Sequence, residues 1–312
     1  MNIVISGGTG FIGKMLTNYL VSKNHSVYIL TRNIASFQNK PNITYVEWLS
    51  PNSSAELKLE NIDVFINLAG ESINSGRWTD KRKQIILNSR LYATDEVIQL
   101  ISKLTPKPRV LINASAIGFY GTSLTKTFTE NDIESGHDFL ATTTRRWEDQ
   151  AKRVEELGIR LVLARLGVVL AKNEGALPRM VLPYKFFIGG KVGIGQQWLS
   201  WIHIDDVVRM FEFVAINERI KGPINLTAPI PEKMDAFGRT IGKVIKRPHL
   251  IPAPEFALKL LLGEMSSLVL EGQKVIPEKA LTNHFSFKYE HLEDALRDIL
   301  TQSNKSRHTN DL

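Results

Sequence analysis

The sequence of 312 residues predicts an α/β protein with a doubly wound parallel sheet and a smaller C-terminal α/β lobe. Short apolar runs alternate with helical patterns through the first 170 residues, and this alternation is typical of a parallel sheet covered by helices on both faces. The pattern becomes less regular from residue 171 onward. We therefore expect a first domain at 1–170, a segment near 200–230 that completes its sheet, and a lobe with a C-terminal helical segment at 171–300.

A glycine-rich turn opens the first domain. An apolar run at residues 1–5 leads into Gly7, Gly10 and Gly13, and a helical pattern then continues to Lys23. Glycines three residues apart let backbone N–H groups approach a pyrophosphate at a helix N-terminus and let the helix pack closely on the strand. Residues 1–170 are therefore predicted to bind a dinucleotide, and the alternative is a tight turn without a ligand.

The end of the second predicted strand, residues 26–32, indicates the type of dinucleotide. Sites that prefer NAD usually carry an Asp or Glu here, which holds the ribose 2′-hydroxyl. In this chain Arg32 occupies the place, and the first carboxylate of the sequence is Glu47. Because a guanidinium suits a 2′-phosphate, the sequence favours NADP(H) as the cofactor. The alternative is that Arg32 is a solvated loop residue.

The remaining elements of the first domain follow in order. Residues 43–48, 63–68, 109–113 and 160–170 are predicted strands, and residues 79–104 and 139–157 are predicted helices. The strand at 63–68 ends in Ala69 and Gly70, and the strand at 109–113 is followed by Ser115. Ligands of open α/β sheets bind at the carboxyl ends of the strands, so we expect these residues to lie near the cofactor.

The second half of the chain is predicted with fewer regular elements. Residues 175–195 are rich in glycine and read as a long loop over the sheet, and a helix is expected from Val207 with Asp205 or Asp206 as its N-cap. Further elements are a strand at 222–226, a helix at 234–245 and a buried amphipathic helix at 256–270. The polar segment 301–312 is expected to be a disordered tail.

Composition limits the classes of function. The net charge of +7 and the pI near 9.4 raise the question of nucleic acid, but the basic residues are scattered and no recognition motif is present. We expect a small-molecule substrate and neither a nucleic-acid nor a membrane partner. The absence of cysteine excludes a disulfide framework and a cysteine metal site, and we expect no metal. It also fits a cytoplasmic location, as does the lack of a signal peptide. Nothing in the sequence specifies an oligomeric state.

Five motifs together resemble the extended short-chain dehydrogenase/reductases, the NAD(P)-dependent epimerase/dehydratase family with a Rossmann fold. They are the glycine triplet, the segments 67–70, 165–169 and 203–206, and Ser115. The segments 175–178, 195–203, 225–229 and 270–277 resemble one subgroup of uncharacterised epimerase family proteins with a C-terminal domain of unknown function. The resemblance implies a cofactor site formed by Gly7, Thr9, Gly10, Phe11, Ile12, Gly13, Thr31, Arg32, Leu68, Ala69, Gly70, Glu71 and Arg90.

The sequence departs from the catalytic pattern of that family. The family uses a Ser, a Tyr and a Lys four residues after the Tyr, so that the ammonium lowers the pKa of the phenol. In the helix that should carry the pair, Leu140 and Thr144 occupy the two places. Tyr19 and Lys23 have the right spacing, but they lie in the first helix, and we interpret them as a chance surface match.

Three residues are candidates to replace the family's catalytic residues in substrate contact or proton transfer. Ser115 is predicted either to contact the substrate or to be an ordinary polar residue at a strand end. Tyr120 follows the fifth strand closely enough to act as a proton donor, although an unassisted phenol is a poor base. His203 titrates near neutral pH but is also explained by a structural role at the start of a helix.

Two hypotheses of function remain open after this reasoning. The first is an NADP(H)-dependent oxidoreductase or epimerase-like enzyme that acts on a small substrate held between the sheet and the second lobe. The second is a non-catalytic NADP(H)-binding sensor or regulatory protein. The retained glycine turn supports both hypotheses, whereas the missing Tyr and Lys favour the second.

Overall fold

The computed structural model describes residues 1–50 and 53–301. Residues 302–312 of the predicted tail lie outside this part of the chain, and Thr301 ends a helix. The strands are β1 (Asn2–Ser6), β2 (Ser26–Thr31), β3 (Ile43–Glu47), β4 (Val64–Asn67), β5 (Val110–Ala116), β6 (Thr127–Phe128), β7 (Arg160–Leu166), β8 (Val168–Leu170), β9 (Trp198–Leu199), β10 (Trp201–His203), β11 (Gly222–Leu226), β12 (Glu232–Lys233) and β13 (Lys274–Val275).

The α-helices surround the sheet and build the second lobe. They are α1 (Phe11–Ser22), α2 (Asp80–Lys103), α3 (Phe139–Lys152), α4 (Leu177–Lys185), α5 (Ile204–Ile216), α6 (Met234–Ile245), α7 (Glu255–Leu262), α8 (Ser267–Leu270), α9 (Glu278–Thr282) and α10 (Leu292–Thr301). The predicted helix at 139–157 begins as α3 and ends as a 3-10 helix, and Gly158 closes it in the left-handed conformation at φ +75°.

Seven parallel strands form the central sheet in the order β11, β7, β5, β4, β1, β2, β3. This arrangement confirms the predicted doubly wound α/β fold. The strand order reverses between β1 and β4, where Ser6 lies beside Asn67. Connections leave the two strands toward opposite sides at this point, so a crevice opens at their carboxyl ends.

Both faces of the sheet are buried. Side chains such as Ile5, Ile29 and Ile112 pack with α1 and α5 on one face, and Val4, Phe65 and Leu111 pack with α2 and α3 on the other. The alternation follows from the pleat, which sends successive side chains of a strand to opposite faces. A separate apolar cluster joins α4, α6 and α10 in the C-terminal lobe.

Three predicted elements differ from the structure. The predicted loop at 175–195 contains α4, which the sequence reading missed because Pro178 and Pro183 lie inside it. The predicted strand 160–170 is interrupted at Gly167, where a Cβ would lie 2.5 Å from the Ser200 carbonyl oxygen. The predicted buried helix 256–270 is α7, a 3-10 turn and α8, and α7 has no buried residue.

No helix within residues 1–50 and 53–301 is both long and apolar enough to cross a membrane.

Candidate functional site

The glycine turn forms a cradle that larger residues would fill. Gly7 has φ +71°, and a Cβ on it would lie 2.7 Å from the Leu68 carbonyl carbon. A Cβ on Gly13 would lie 2.3 Å from the Gly7 carbonyl oxygen, which is closer than van der Waals contact allows. These two glycines therefore let β1, α1 and the end of β4 approach each other, as the sequence predicted for the motif.

Gly10 faces space that the protein itself leaves open. A Cβ on Gly10 would meet only the Gly7 carbonyl oxygen, at 3.3 Å. Gly10 is also the N-cap of α1, where no side chain caps the helix and no acidic residue lies in the first turn. The N–H groups and the positive end of the helix dipole are consequently available to an anion, so the cradle fits a pyrophosphate.

The end of β2 carries a basic side chain in solvent. Thr31 is buried, whereas Arg32 is exposed and has no hydrogen bond or ion pair within the described residues. Glu47 lies beside Thr31 on the neighbouring strand β3. The ribose-binding position at the end of β2 thus holds a guanidinium, and the nearby carboxylate belongs to the next strand.

Arg90 supports the segment that follows β4. Its Nη1 donates to the carbonyl oxygens of Glu71 and Ile86 at 3.0 and 2.9 Å, and its side chain packs where a Cβ on Gly70 would point. Burial lowers the pKa of Arg90 to about 10. The Glu71 carboxylate accepts a hydrogen bond from Arg82. Arg90 therefore contacts the wall of the predicted cofactor site, and its contact with a cofactor stays a prediction.

A buried polar network joins the ends of β1 and β4 to the middle of β5. Ser6 Oγ donates to Asn67 Oδ1 at 2.6 Å, and Asn67 Nδ2 donates to Asn113 Oδ1 at 2.7 Å and to Thr94 Oγ1 at 3.1 Å. Trp147 Nε1 donates to the same threonine. The network fixes β1, β4 and β5 relative to α2 and α3. Sequence reasoning missed it, although asparagines near the ends of two apolar strands were a usable signal.

Ser115 lies at the centre of a second polar cluster. It belongs to β5, which extends to Ala116 rather than ending at Asn113 as predicted. Its Oγ donates to Glu148 Oε1 at 2.5 Å, and Arg165 holds both oxygens of Glu148 through Nε and Nη2 at 2.8 Å each. The ion pair is almost fully buried, with 3% of each side chain exposed. Sequence reasoning assigned no role to Glu148 or Arg165.

Aromatic rings cover the guanidinium of this ion pair. The Arg165 Cζ lies 3.6 Å from the ring centroid of Phe119 and 4.8 Å from that of Tyr120, and its Nη1 has no hydrogen-bond partner within the described residues. Glu148 and Arg165 also line a cavity of about 710 Å³ beside α3. The pair is therefore held by packing and charge together.

Tyr120 is placed unfavourably for the predicted role of proton donor. Its ring is buried, and its hydroxyl donates to Asn225 Oδ1 at 2.8 Å. Burial raises the pKa of Tyr120 to about 12. A phenol that is already hydrogen-bonded and ionises only in strong base is a poor proton-transfer group at neutral pH.

In the family that the sequence resembles, one helix carries the catalytic Tyr and Lys. The corresponding helix of this chain, α3, carries no such pair. The turn at Gly118 faces Leu140 and Thr144, whose Cβ and Oγ1 would lie 3.3 and 3.8 Å from a Cβ on that glycine. The Thr144 hydroxyl donates to the Leu140 carbonyl oxygen. The pair with matching spacing in α1 has a different environment, because the Tyr19 hydroxyl donates to Glu212 at 2.6 Å.

His203 is the N-cap of α5, and the prediction that Asp205 or Asp206 caps the helix is wrong. The Nδ1 atom of His203 accepts from the Asp205 backbone N–H at 3.0 Å, and the ring lies 3.9 Å from that of Tyr289. Burial lowers the pKa of His203. Its contacts lie in the C-terminal lobe, and none joins it to Ser115 within residues 1–50 and 53–301.

The carboxylates around His203 have partners of their own. Asp206 accepts hydrogen bonds from the backbone N–H groups of Lys288 and Tyr289. His203, Asp205 and Asp298 bring possible metal-ligand atoms within 4.8 Å of one another, but the Lys288 ammonium already lies 3.0 Å from Asp205. This cluster therefore ties α5 to the C-terminal segment.

The helix α7 reaches from the C-terminal lobe to the start of α2. The Arg77 guanidinium donates to the carbonyl oxygens of Leu260 and Leu261, and Lys83 forms an ion pair with Glu264. These polar contacts place α7 beside the segment that follows β4. The helix that makes this contact has no buried residue.

Comparison with protein families places this geometry in a known group. Residues 3–226 match the NAD-dependent epimerase/dehydratase family, and residues 253–299 match a domain of unknown function named DUF1731. The "Epimerase family protein YfhF" of Bacillus subtilis is 52% identical over 300 residues, which covers 96% of this chain and 98% of that protein. The "Epimerase family protein SSP1921" of Staphylococcus saprophyticus is 45% identical over 297 residues, which covers 95% and 98%.

Solved structures agree with the sequence relatives. The human epimerase family protein SDR39U1 with NADPH has a TM-score of 0.87 and 30% identity, covering 97% of this chain and 100% of that chain. UDP-glucuronic acid 4-epimerase from Bacillus cereus, in complex with UDP-glucuronic acid and NAD, has a TM-score of 0.77 and 17% identity, covering 96% and 98%, and shows the shared fold. The glycine cradle, the seven-stranded sheet and these matches together establish that the chain belongs to the NAD-dependent epimerase/dehydratase family.

Proposed function

We propose that the protein binds NADP(H) and acts as an oxidoreductase or epimerase-like enzyme on a small substrate. The observation that carries the proposal is the cradle of Gly7, Gly10 and Gly13, with an uncapped helix N-terminus and open space at Gly10. A pyrophosphate held there lies at the point where the strand order reverses, which is the position of dinucleotides in this fold class. A nicotinamide dinucleotide is also the ligand of the human relative and of several epimerases with this fold.

The preference for NADP(H) rests on Arg32. An exposed guanidinium without a partner among the described residues is available to a 2′-phosphate. The human neighbour at 30% identity was crystallised with NADPH, whereas several epimerases at lower identity, such as that from Bacillus cereus, were crystallised with NAD. These observations favour the phosphorylated cofactor without identifying a substrate.

The nucleotide preference is tested by binding measurements on Arg32→Ala. We expect NADPH affinity to fall by about tenfold or more, because one charge-assisted contact to the phosphate is lost, and NADH affinity to stay the same. Arg146→Ala is the matched control, since Arg146 is exposed on α3. An unchanged ratio of NADPH to NADH affinity in Arg32→Ala would contradict the assignment.

Ser115 is the residue proposed to contact the substrate. Both oxygens of Glu148 accept hydrogen bonds from Arg165, and the Ser115 hydroxyl donates inward to one of them. The lone pairs of Oγ are then left for a donor. Ser115 is thereby suited to accept a hydrogen bond from a substrate hydroxyl and to orient it, while the nicotinamide supplies the site of hydride exchange.

Turnover of NADP(H) with a panel of small alcohols, aldehydes and ketones tests this role. We expect Ser115→Ala to lower kcat/KM by about 10- to 100-fold while NADPH affinity is kept, and Tyr120→Phe to leave turnover unchanged. A strong loss of kcat in Tyr120→Phe with retained folding would return the proton-transfer role to Tyr120 and contradict the assignment made here.

The alternative is an NADP(H)-binding sensor without hydride chemistry. It is favoured by Leu140 and Thr144 at the places of the missing Tyr and Lys, because neither side chain transfers protons at neutral pH. The same substrate panel separates the two functions. Tight NADPH binding together with no turnover of any substrate, and with the cofactor copurifying, would support the sensor.

A further inference from the structure

A surface remote from the glycine cradle combines exposed apolar and basic side chains. It is formed by residues 185–191, which begin with the last residue of α4, and residues 246–251, which follow α6, and we call it the tip surface. The backbone N–H groups of Leu250 and Ile251 both donate to the Gly189 carbonyl oxygen, at 2.8 and 3.0 Å. The two segments therefore form one continuous surface rather than two separate loops.

The tip surface exposes more apolar area than scattered surface residues do. Leu250 is 78% exposed and Phe186 is 68% exposed, and Phe187, Ile188 and Ile251 are each more than half exposed. Large apolar side chains occur singly on ordinary protein surfaces. A contiguous group of five with a polar rim instead marks an interaction surface.

The backbone presents these side chains outward. Phe187 has φ +63°, a conformation that is unfavourable for a bulky residue and is uncommon outside glycine and asparagine. Hydrogen bonds from the N–H of Phe187 to the Tyr184 carbonyl oxygen and from the N–H of Ile188 to the Pro183 carbonyl oxygen hold this turn. Beneath it, the Tyr184 hydroxyl lies 2.8 Å from His249 Nδ1. The apolar turn is thus supported from below by the contact between Tyr184 and His249.

The charged residues within the tip surface itself are all basic, and Asp235, the carboxylate that contacts it at His249, is also paired with Arg239. Residues 175–204 and 236–254 contain no Asp or Glu, although acids make up 32 of the 312 residues. Lys185, Lys191, Lys246 and Arg247 are exposed on the tip surface, and none has an ion pair within the described residues. The Arg247 Cζ lies 4.5 Å from the ring centroid of Phe187. The surface therefore attracts an anionic partner.

We infer that the tip surface docks the protein reversibly on an anionic lipid bilayer. The exposed rings and aliphatic side chains enter the headgroup region, and the surrounding ammonium and guanidinium groups lie near lipid phosphates. A second copy of this chain is a poorer occupant, because a symmetric interface would place like charges against each other. This inference goes beyond the proposed function and replaces the expectation that the protein has no membrane partner.

Docking at this surface leaves the cofactor cleft accessible. The segment before α4 begins at Gly175, where a Cβ would contact the Phe11 ring at 3.2 Å, whereas the tip surface follows the other end of α4. A helix of nine residues is about 14 Å long, so the bilayer and the glycine cradle lie at opposite ends of it. Cofactor exchange and membrane docking can occur together.

Sedimentation with lipid vesicles tests the inference on the full-length protein. We expect the wild type to sediment with vesicles of phosphatidylcholine mixed with phosphatidylglycerol, to remain in solution with phosphatidylcholine alone, and to be released as the salt concentration rises. The charge variant Lys185→Glu/Lys246→Glu should bind on the order of 30-fold more weakly. The apolar variant Phe186→Ser/Leu250→Ser should lose binding by tenfold or more.

Matched controls carry the same changes elsewhere on the surface. Leu57→Ser/Ile133→Ser removes two exposed apolar side chains, and Lys40→Glu/Lys107→Glu reverses two exposed charges. Both controls should bind vesicles as the wild type does, and all variants should retain NADPH affinity. The inference is overturned if the wild type ignores anionic vesicles, if it binds neutral vesicles equally well, or if the apolar variant sediments like the wild type. A dimer that the apolar variant abolishes, with no vesicle binding, would overturn it in favour of a second copy.

Discussion

The glycine cradle and the cluster around Ser115 lie at the same edge of the sheet, but they differ in whether their polar groups already have hydrogen-bond partners. At the cradle, the uncapped N-terminus of α1 has no side-chain partner, and the space at Gly10 is open. At Ser115, the hydroxyl, both carboxylate oxygens of Glu148 and two nitrogens of Arg165 are already bonded to one another. A ligand at the cradle therefore gains hydrogen bonds without breaking any, whereas a substrate at Ser115 joins an existing cluster.

This difference explains why cofactor binding is better supported than chemistry. Backbone donors at a helix N-terminus hold a phosphate whatever the neighbouring side chains are. Proton transfer instead needs a side chain with a suitable pKa at the reacting atoms. Leu140 and Thr144 supply none, and burial moves the pKa of Tyr120 away from neutrality. The two regions can be tested separately, beginning with the change of largest expected effect.

Removal of Glu148 should have the largest effect, because it disrupts the cluster around Ser115. Glu148→Ala leaves the Arg165 guanidinium buried without its anion, so we expect the free energy of unfolding to fall by about 3–5 kcal/mol, as measured by urea denaturation. The double change Glu148→Leu/Arg165→Met removes both charges and should recover most of that loss. If the single change costs no more than an exposed ion pair does, the cluster is not the buried structural unit described here.

Substitution of Gly13 and of Gly10 should separate the effects of packing from those of ligand binding at the glycine cradle. Gly13→Ala forces a Cβ against the Gly7 carbonyl oxygen, and we expect it to cost about 1–3 kcal/mol of stability and to abolish NADPH binding. Gly10→Ala meets one backbone oxygen at 3.3 Å and replaces the N-cap glycine, so it should lose no more than about 1 kcal/mol of stability, while its NADPH affinity falls strongly. Calorimetric titration and thermal unfolding of both variants provide the measurements. Wild-type NADPH affinity in Gly10→Ala would argue against a pyrophosphate at this position.

Protonation of His203 should produce the smallest effect. Burial lowers the folded-state pKa of His203 below its unfolded value of about 6.5, so the unfolded chain binds more protons between the two values. The contribution of His203 to stability is therefore complete above this window and is lost as the pH falls through it. His203→Asn keeps a helix-capping acceptor and removes the titration. Unfolding measured from pH 8 to 5 should fall less steeply in the variant, and identical slopes would show that His203 does not titrate in this range.

The sequence predicted the fold and the close backbone approach at the glycine turn well, because both depend on local pattern. Alternation of strand and helix indicated a parallel sheet, and the structure confirms it. The helix predicted at 234–245 is also present, as α6. Gly7 and Gly13 could be recognised because each permits one close approach at a fixed spacing. By contrast, α4 was missed, since a helix with two prolines reads as a loop.

The cluster at Ser115 could not be predicted from the sequence in the same way. Glu148 and Arg165 lie 17 residues apart on a helix and a strand, and their pairing depends on how α3 packs on β7. The N-cap of α5 was assigned to an aspartate because histidine is an unusual capping residue. The apolar pattern of α7 predicted burial, but a pattern does not say whether a partner surface is present, and Phe256 and Leu260 remain exposed.

The attachment of α7 has a consequence for its local stability. Because α7 has no buried residue and is held against the first domain by Arg77 and, just after its end, by the ion pair of Lys83 with Glu264, its detachment exposes little apolar surface. Such a local opening requires far less free energy than unfolding of either core does. We therefore expect amide hydrogen exchange in α7 to accelerate with ionic strength as the contact between Lys83 and Glu264 weakens.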